Sequence, residues 1–133
     1  METIDKKRAL ELLEQVVEEF GPETTYEDID PDWGRGEDCQ YVGNDGKPKC
    51  LVGQALAKAG FEFPLDPYYP GDGSPYKYVN DSAYHYLTEY ADESVTEFAK
   101  VVFEVAQRVQ DTGQTWGQAL AKAREGVVGN EDQ

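Results

Sequence analysis

Few residues in this chain have the type and spacing to do chemistry. Cys39 and Cys50, its two cysteines, lie on either side of Gly43-Asn44-Asp45-Gly46, a tetrad suited to a tight reversal because Gly, Asn and Asp tolerate positive φ. A two-residue turn at Asn44-Asp45 sets Cys39 directly opposite Cys50, near enough for a disulfide or one shared metal. A turn at Asp45-Gly46, the pair that such turns favour, sets Tyr41 opposite Cys50 instead. A structural zinc wants four soft or imidazole ligands, whereas the chain offers these two thiols and a single histidine, His85. Cys50 stands just ahead of Leu51-Val52-Gly53, where a helix N-terminus would lend it thiolate character. The plainer reading of both thiols is packing, since cysteine is among the most buried residue types.

His85 sits among Tyr84, Tyr86 and Tyr90 and could serve as a general base if Asp81 or Glu89 oriented it, but nothing supplies a nucleophile. Asp28-x-Asp30-x-Asp32, followed by Glu37 and Asp38, spaces oxygen ligands as the start of a calcium loop does. Trp33 then stands where the sharp turn needs glycine, Pro31 stiffens the segment, and Cys39 occupies the place of the bidentate glutamate, so a solvated acidic loop is the better reading. There is no Gly-x-Ser-x-Gly elbow, phosphate loop or dinucleotide fingerprint, and Gly34-Arg35-Gly36 is too short to count. The balance of these motifs is against an enzyme.

Charge is the dominant compositional signal: 27 Asp and Glu against 12 Lys and Arg, a net of -15 on 133 residues. Residues 1–38 hold 13 acids and 4 bases, residues 39–88 hold 5 and 4, and residues 89–133 hold 9 and 4. Such a field repels nucleic acid and anionic lipid and attracts basic surfaces. Seven of the nine tyrosines, Tyr68, Tyr69, Tyr76, Tyr78, Tyr84, Tyr86 and Tyr90, fall close together in and beside a Pro/Gly-rich stretch. Tyrosine combines a rigid apolar body with a polar tip and is enriched at binding surfaces, although Tyr86 and Tyr90 share a helical face and read as core.

These residues must be held by elements that the hydrophobic periodicity predicts. Ile4, Leu10, Leu13, Val16, Val17 and Phe20 follow one helical face, capped by Thr3 and stopped by Gly21-Pro22, which predicts a helix over 4–20. Cys39–Val42 and Lys47–Cys50 predict the arms of a hairpin, with Pro48 confining its strand to an edge. Leu51, Val52, Ala55, Leu56 and Ala59 predict a short helix ended by Gly60, with Phe61 and Phe63 packing back on it. The stretch from Pro64 to Pro75 is a loop, and a helix from Asn80 or Asp81 to Tyr90 follows. Ser94 and Glu97 form a capping-box pattern ahead of Val95, Phe98, Ala99, Val102, Phe103, Ala106 and Val109, and Thr115 and Gln118 repeat it ahead of a last helix carrying Trp116, Ala119, Leu120 and Ala123.

Cys39-x-Tyr41-Val42, Pro48-x-Cys50-Leu51-Val52-Gly53-x-Ala55-Leu56, and Ala106-Gln107-x-x-Gln110-Asp111-x-Gly113-x-Thr115-Trp116-x-x-Ala119 together resemble small uncharacterised acidic proteins of actinobacteria and their phages. The resemblance covers about half of the chain and brings no known activity with it. It implies an accessory protein, plausibly phage-encoded, that acts on a host component.

The expected fold is mostly α (α+β): one acidic domain over 1–133 with a bundle-like helical core, one small β-hairpin, an acidic loop at 21–38 and a Pro/Tyr-rich loop at 62–80. The chain opens on an amphipathic stretch and has no long apolar run, which predicts a cytoplasmic protein without a membrane span. The expected function is non-enzymatic binding to a basic protein surface, with acids standing in for the phosphates of nucleic acid. Its candidate contact residues are Tyr68, Tyr69, Tyr76, Tyr78, Glu18, Glu19, Asp28, Asp30 and Asp32. No cofactor and no direct nucleic-acid binding are expected. The alternative is a redox or metal site at Cys39 and Cys50, with His85 as a further ligand, or a small enzyme of another class.

Overall fold

The structure, a computed structural model, describes residues 2–29, 41, 47–63 and 82–126. Among these it is mostly helical: α1 Lys6–Phe20, α2 Tyr26–Ile29, α3 Leu51–Lys58, α4 Ala83–Tyr90, α5 Glu97–Asp111 and α6 Trp116–Gly126, with a 3₁₀ turn at Asp92–Ser94. None of these helices is long and apolar enough to cross a membrane.

The amphipathic faces drive the packing. α1 buries Ala9, Leu12, Leu13, Val16 and Val17, and α5 buries Ala99, Val102, Phe103 and Ala106. α5 is the central helix, packing against α1, α3, α4 and α6. Helix ends follow local chemistry where glycine is needed. At the end of α3, Gly60 takes φ +84°, its N–H donates to Ala57 O at 3.1 Å and Phe61 N–H donates to Leu56 O at 3.0 Å. That is a Schellman closure, and it returns Phe61 to the core as the spacing predicts. The Thr115/Gln118 capping box also forms: Gln118 N–H donates to Thr115 Oγ1 at 3.1 Å and Thr115 N–H to Gln118 Oε1 at 2.9 Å.

Two helix starts differ from the expected ones, for a shared reason. Ile4 and Val95 form an isolated parallel bridge, with Ile4 N–H donating to Ser94 O at 2.7 Å and Thr96 N–H to Ile4 O at 3.0 Å. Both residues are therefore extended and cannot begin a helix. The caps move past them: Asp5 Oδ1 accepts from Arg8 N–H at 2.8 Å in place of Thr3, and Thr96 Oγ1 accepts from Ala99 N–H at 3.2 Å in place of Ser94. α4 likewise starts later than Asn80 or Asp81, with Ser82 as its cap.

The expected hairpin is not supported, and the α+β assignment goes with it: there is no strand among the described residues. The turn at 43–46 lies outside them. Between the arms, Lys49 N–H donates to Tyr41 O at 3.1 Å, which sets Tyr41 beside Lys49 rather than beside Cys50. Pro48 is a lone bridge residue rather than part of a strand, and the carbonyls of Pro48 and Lys49 both face the Gln54 carboxamide, at 2.9 and 3.5 Å.

Candidate functional site

Two regions bear on function: a buried polar row on α5 and an acidic surface on α1 and the turn after it.

The row comprises Lys100, Glu104, Gln107 and Gln110, polar side chains buried on a helix whose apolar residues fill the rest of the core. Each acceptor has a backbone donor to meet. Gln110 Oε1 accepts from Leu51 N–H at 2.9 Å, the first residue of α3. Gln107 Oε1 accepts from Ala83 N–H at 2.6 Å, the first residue of α4, and from the Tyr41 hydroxyl at 2.7 Å. Glu104 Oε1 accepts from Tyr84 N–H at 3.1 Å, and its other oxygen accepts from Arg108 Nε at 2.6 Å. The orphan amides at two helix starts are thus satisfied by side chains of a third helix. The Glu104 carboxylate also meets the positive end of the α4 dipole.

One turn earlier on α5, the Tyr84 hydroxyl donates to the Glu97 carboxylate, which also accepts from Lys100 Nζ at 3.0 Å. The bond to Tyr84, then the one to Lys100, hold the Glu97 carboxyl below its usual range, and the same carboxylate raises the Tyr84 phenol. Over the row lies an aromatic cluster. Tyr41 stacks on Tyr86 at 4.6 Å, and Tyr86 meets Tyr90 at 5.1 Å and Phe61 at 6.0 Å. Burial holds the Tyr86 phenol protonated well above its ordinary range.

The motif residues of the sequence resemblance meet here. Tyr41 joins Gly53 and Gln107, Gln110 holds the neighbouring Leu51, and Gly53 has no room for a side chain because a Cβ would lie 2.0 Å from Tyr41 O. Periodicity reasoning passed over this row. Its signal was present as polar residues at the three-and-four spacing of 100, 104, 107 and 110, a second stripe beside the apolar one.

The catalytic and metal candidates fare differently. Cys50 is fully buried, and its Sγ accepts from Gly53 N–H at 3.3 Å, capping α3. That position gives Cys50 a structural part as the cap of α3. Cys39 lies outside the described residues, as do Asp30, Asp32, Glu37, Asp38, Asp81, Tyr68, Tyr69, Tyr76 and Tyr78. His85 is exposed on α4, with its ring edge-on to Tyr84 at 6.1 Å. The described residues contain no group of three His, Cys, Asp or Glu placed to hold a metal. Asp28 does local work instead: its Oδ2 accepts from Thr25 N–H at 2.9 Å while its own N–H donates to Thr25 O at 3.1 Å, closing the single turn of α2.

The acidic surface is built by α1. Glu11, Glu14 and Glu18 recur at i, i+3 and i+7 on its exposed side, and Glu19, Glu23, Glu27 and Asp28 continue the exposed acids into the following turn. Ion pairs within the protein engage Glu2 and Glu11 with Arg8, Glu19 with Lys58 at 2.6 Å, and Glu14 with Arg124 at 2.9 Å. Glu18, Glu23 and Glu27 have no ion pair among the described residues. The turn that carries Glu23 is fixed to α6. Trp116 N–H donates to Thr24 O at 2.7 Å and Gly117 N–H to Pro22 O at 2.9 Å, and a Cβ on Gly117 would lie 2.8 Å from Pro22 O.

No protein-family model matches the chain, and neither a curated protein nor a solved structure matches it.

Proposed function

We propose that the chain is a non-enzymatic binding protein that docks on a basic surface of a protein partner through the acidic side of α1 and the turn after it. The observation that carries this reading is the row of exposed carboxylates, in which Glu18 on α1, Glu23 on the turn fixed to α6 and Glu27 on α2 have no ion pair among the described residues. An unpaired exposed carboxylate costs nothing to hold in water and keeps its full charge for a partner, whereas one already paired must first be released. Glu19 and Asp28 flank the row, although Lys58 and the α2 turn already engage them. Such a row could replace the phosphates of a nucleic acid on a surface that normally binds one. The contribution of Asp30, Asp32, Tyr68, Tyr69, Tyr76 and Tyr78 to the same surface, and the role of an accessory factor acting on a host protein, rest on the sequence alone.

The test is a paired capture from host lysate, with wild type and the Glu18→Gln/Glu23→Gln/Glu27→Gln variant as baits. At least one basic protein should be retained by wild type and lost by the variant. Identical retention by both baits would reject the acidic face as the docking surface.

A further inference from the structure

We propose that Gln107 is a coupling residue: its one carboxamide oxygen ties the Tyr41 hydroxyl, and through Tyr41 the segment packed on α3, to the first turn of α4, so that loosening either end loosens the other. Ala83 N–H can only donate, so the atom 2.6 Å from it is the carboxamide oxygen. The Tyr41 hydroxyl lies 2.7 Å from that same oxygen and must donate as well. Both lone pairs of a buried oxygen are then taken by donors from separate parts of the chain.

Tyr41 is itself fastened to the start of α3. Its carbonyl accepts from Lys49 N–H at 3.1 Å, and Gly53 packs under it with no space for a Cβ. A glutamine side chain has several free torsions, and here two donors from different segments hold it in one rotamer. With one donor gone, the carboxamide is released to move off the other and leave a buried N–H unpaired, which costs more than the hydrogen bond itself is worth. Glu104 and Gln110 flank Gln107 on the same stripe and anchor Tyr84 N–H and Leu51 N–H. Gln107 is thus the member of the row that joins the α4 start to Tyr41 through one atom, and Tyr41 packs on α3 at Gly53, a contiguous physical link through which coupling can be carried.

The coupling needs no partner and is tested on the full chain by amide hydrogen exchange in wild type, Tyr41→Phe, Gln107→Leu and the double variant. Phenylalanine keeps the ring that stacks on Tyr86 and removes only the hydroxyl. Exchange at Ala83 should rise roughly fivefold in Tyr41→Phe, about what one neutral hydrogen bond contributes net, while Leu120 in α6 stays unchanged. The double variant should exchange at Ala83 no faster than Gln107→Leu alone, because both changes cut one link. Unchanged exchange at Ala83 in Tyr41→Phe, an equal rise at Ala83 and Leu120, or additive effects in the double variant would each overturn the proposal. If Gln107→Leu fails to fold, the two Tyr41→Phe readings decide it.

Discussion

Two glycines separate backbone conformation from close approach. Gly53 lies inside α3, where helix propensity alone makes Gly→Ala stabilising by about 1 kcal/mol. The Cβ would lie 2.0 Å from Tyr41 O and 2.8 Å from its carbonyl carbon, and backbone cannot yield as a side-chain tip can. Gly53→Ala should therefore cost about 3 kcal/mol or more in urea unfolding. Gly60 has open space around its Cβ position and a φ of +84°, so Gly60→Ala should cost only about 1–2 kcal/mol, the strain of the left-handed conformation. Glu97 gives a pH signature. Its folded carboxyl titrates below the ordinary 4.5 because it accepts from Tyr84 and Lys100. The stability this contributes is present above about pH 4.5 and is lost as pH falls through the lower folded value. The stability difference between wild type and Glu97→Gln should be flat from pH 5 to 8 and shrink below 4.5. Of these residues, Gly60 was legible in the sequence because a helix stop is a local event. The reason for Gly53 was not, since it depends on Tyr41, brought to it only by the fold.

The spacing of apolar residues was enough to read α1, α5 and α6 as elements, because an amphipathic face is a property of the segment itself. Their starts were less legible. Thr3 and Asp5, or Ser94 and Thr96, are chemically similar caps, and the choice between them is made by the Ile4–Val95 bridge, which consumes two residues that otherwise extend each helical pattern. Ile4 is fully buried, as its place in the hydrophobic pattern implied, but it arrives there as extended chain. The unfolding midpoint should show this directly: Asp5→Ala should lose about 1 kcal/mol, whereas Thr3→Ala, at an exposed position, should stay within about 0.5 kcal/mol of wild type. The hairpin is not supported among the described residues. A turn-prone tetrad suggests a reversal, but a strand needs an extended ladder, and among the described residues the second arm carries one bridge residue, Pro48, before Cys50 caps α3. The polar stripe of α5 was visible as residues and not as a row of anchors, because its partners are helix starts far away in the chain.

At the scale of the molecule, the sequence already carried the property on which the functional reading rests, a net charge of -15. The structure adds which exposed acids are engaged: Arg8, Lys58 and Arg124 each hold part of the α1 row, and Glu18, Glu23 and Glu27 have no ion pair among the described residues. Exposed charges are screened beyond about 8 Å at physiological ionic strength, so docking through this surface must be a salt-dependent encounter. The most direct measurement is the association rate of the protein with the basic partner recovered by capture, followed from about 20 to 500 mM salt for wild type and for Glu18→Gln/Glu23→Gln/Glu27→Gln. The account predicts a wild-type rate that falls by at least tenfold across that range, and a slower, flatter profile for the variant, since steering acts mainly on the on-rate. A wild-type rate that does not change with salt, or a variant that matches wild type at every salt concentration, would contradict it.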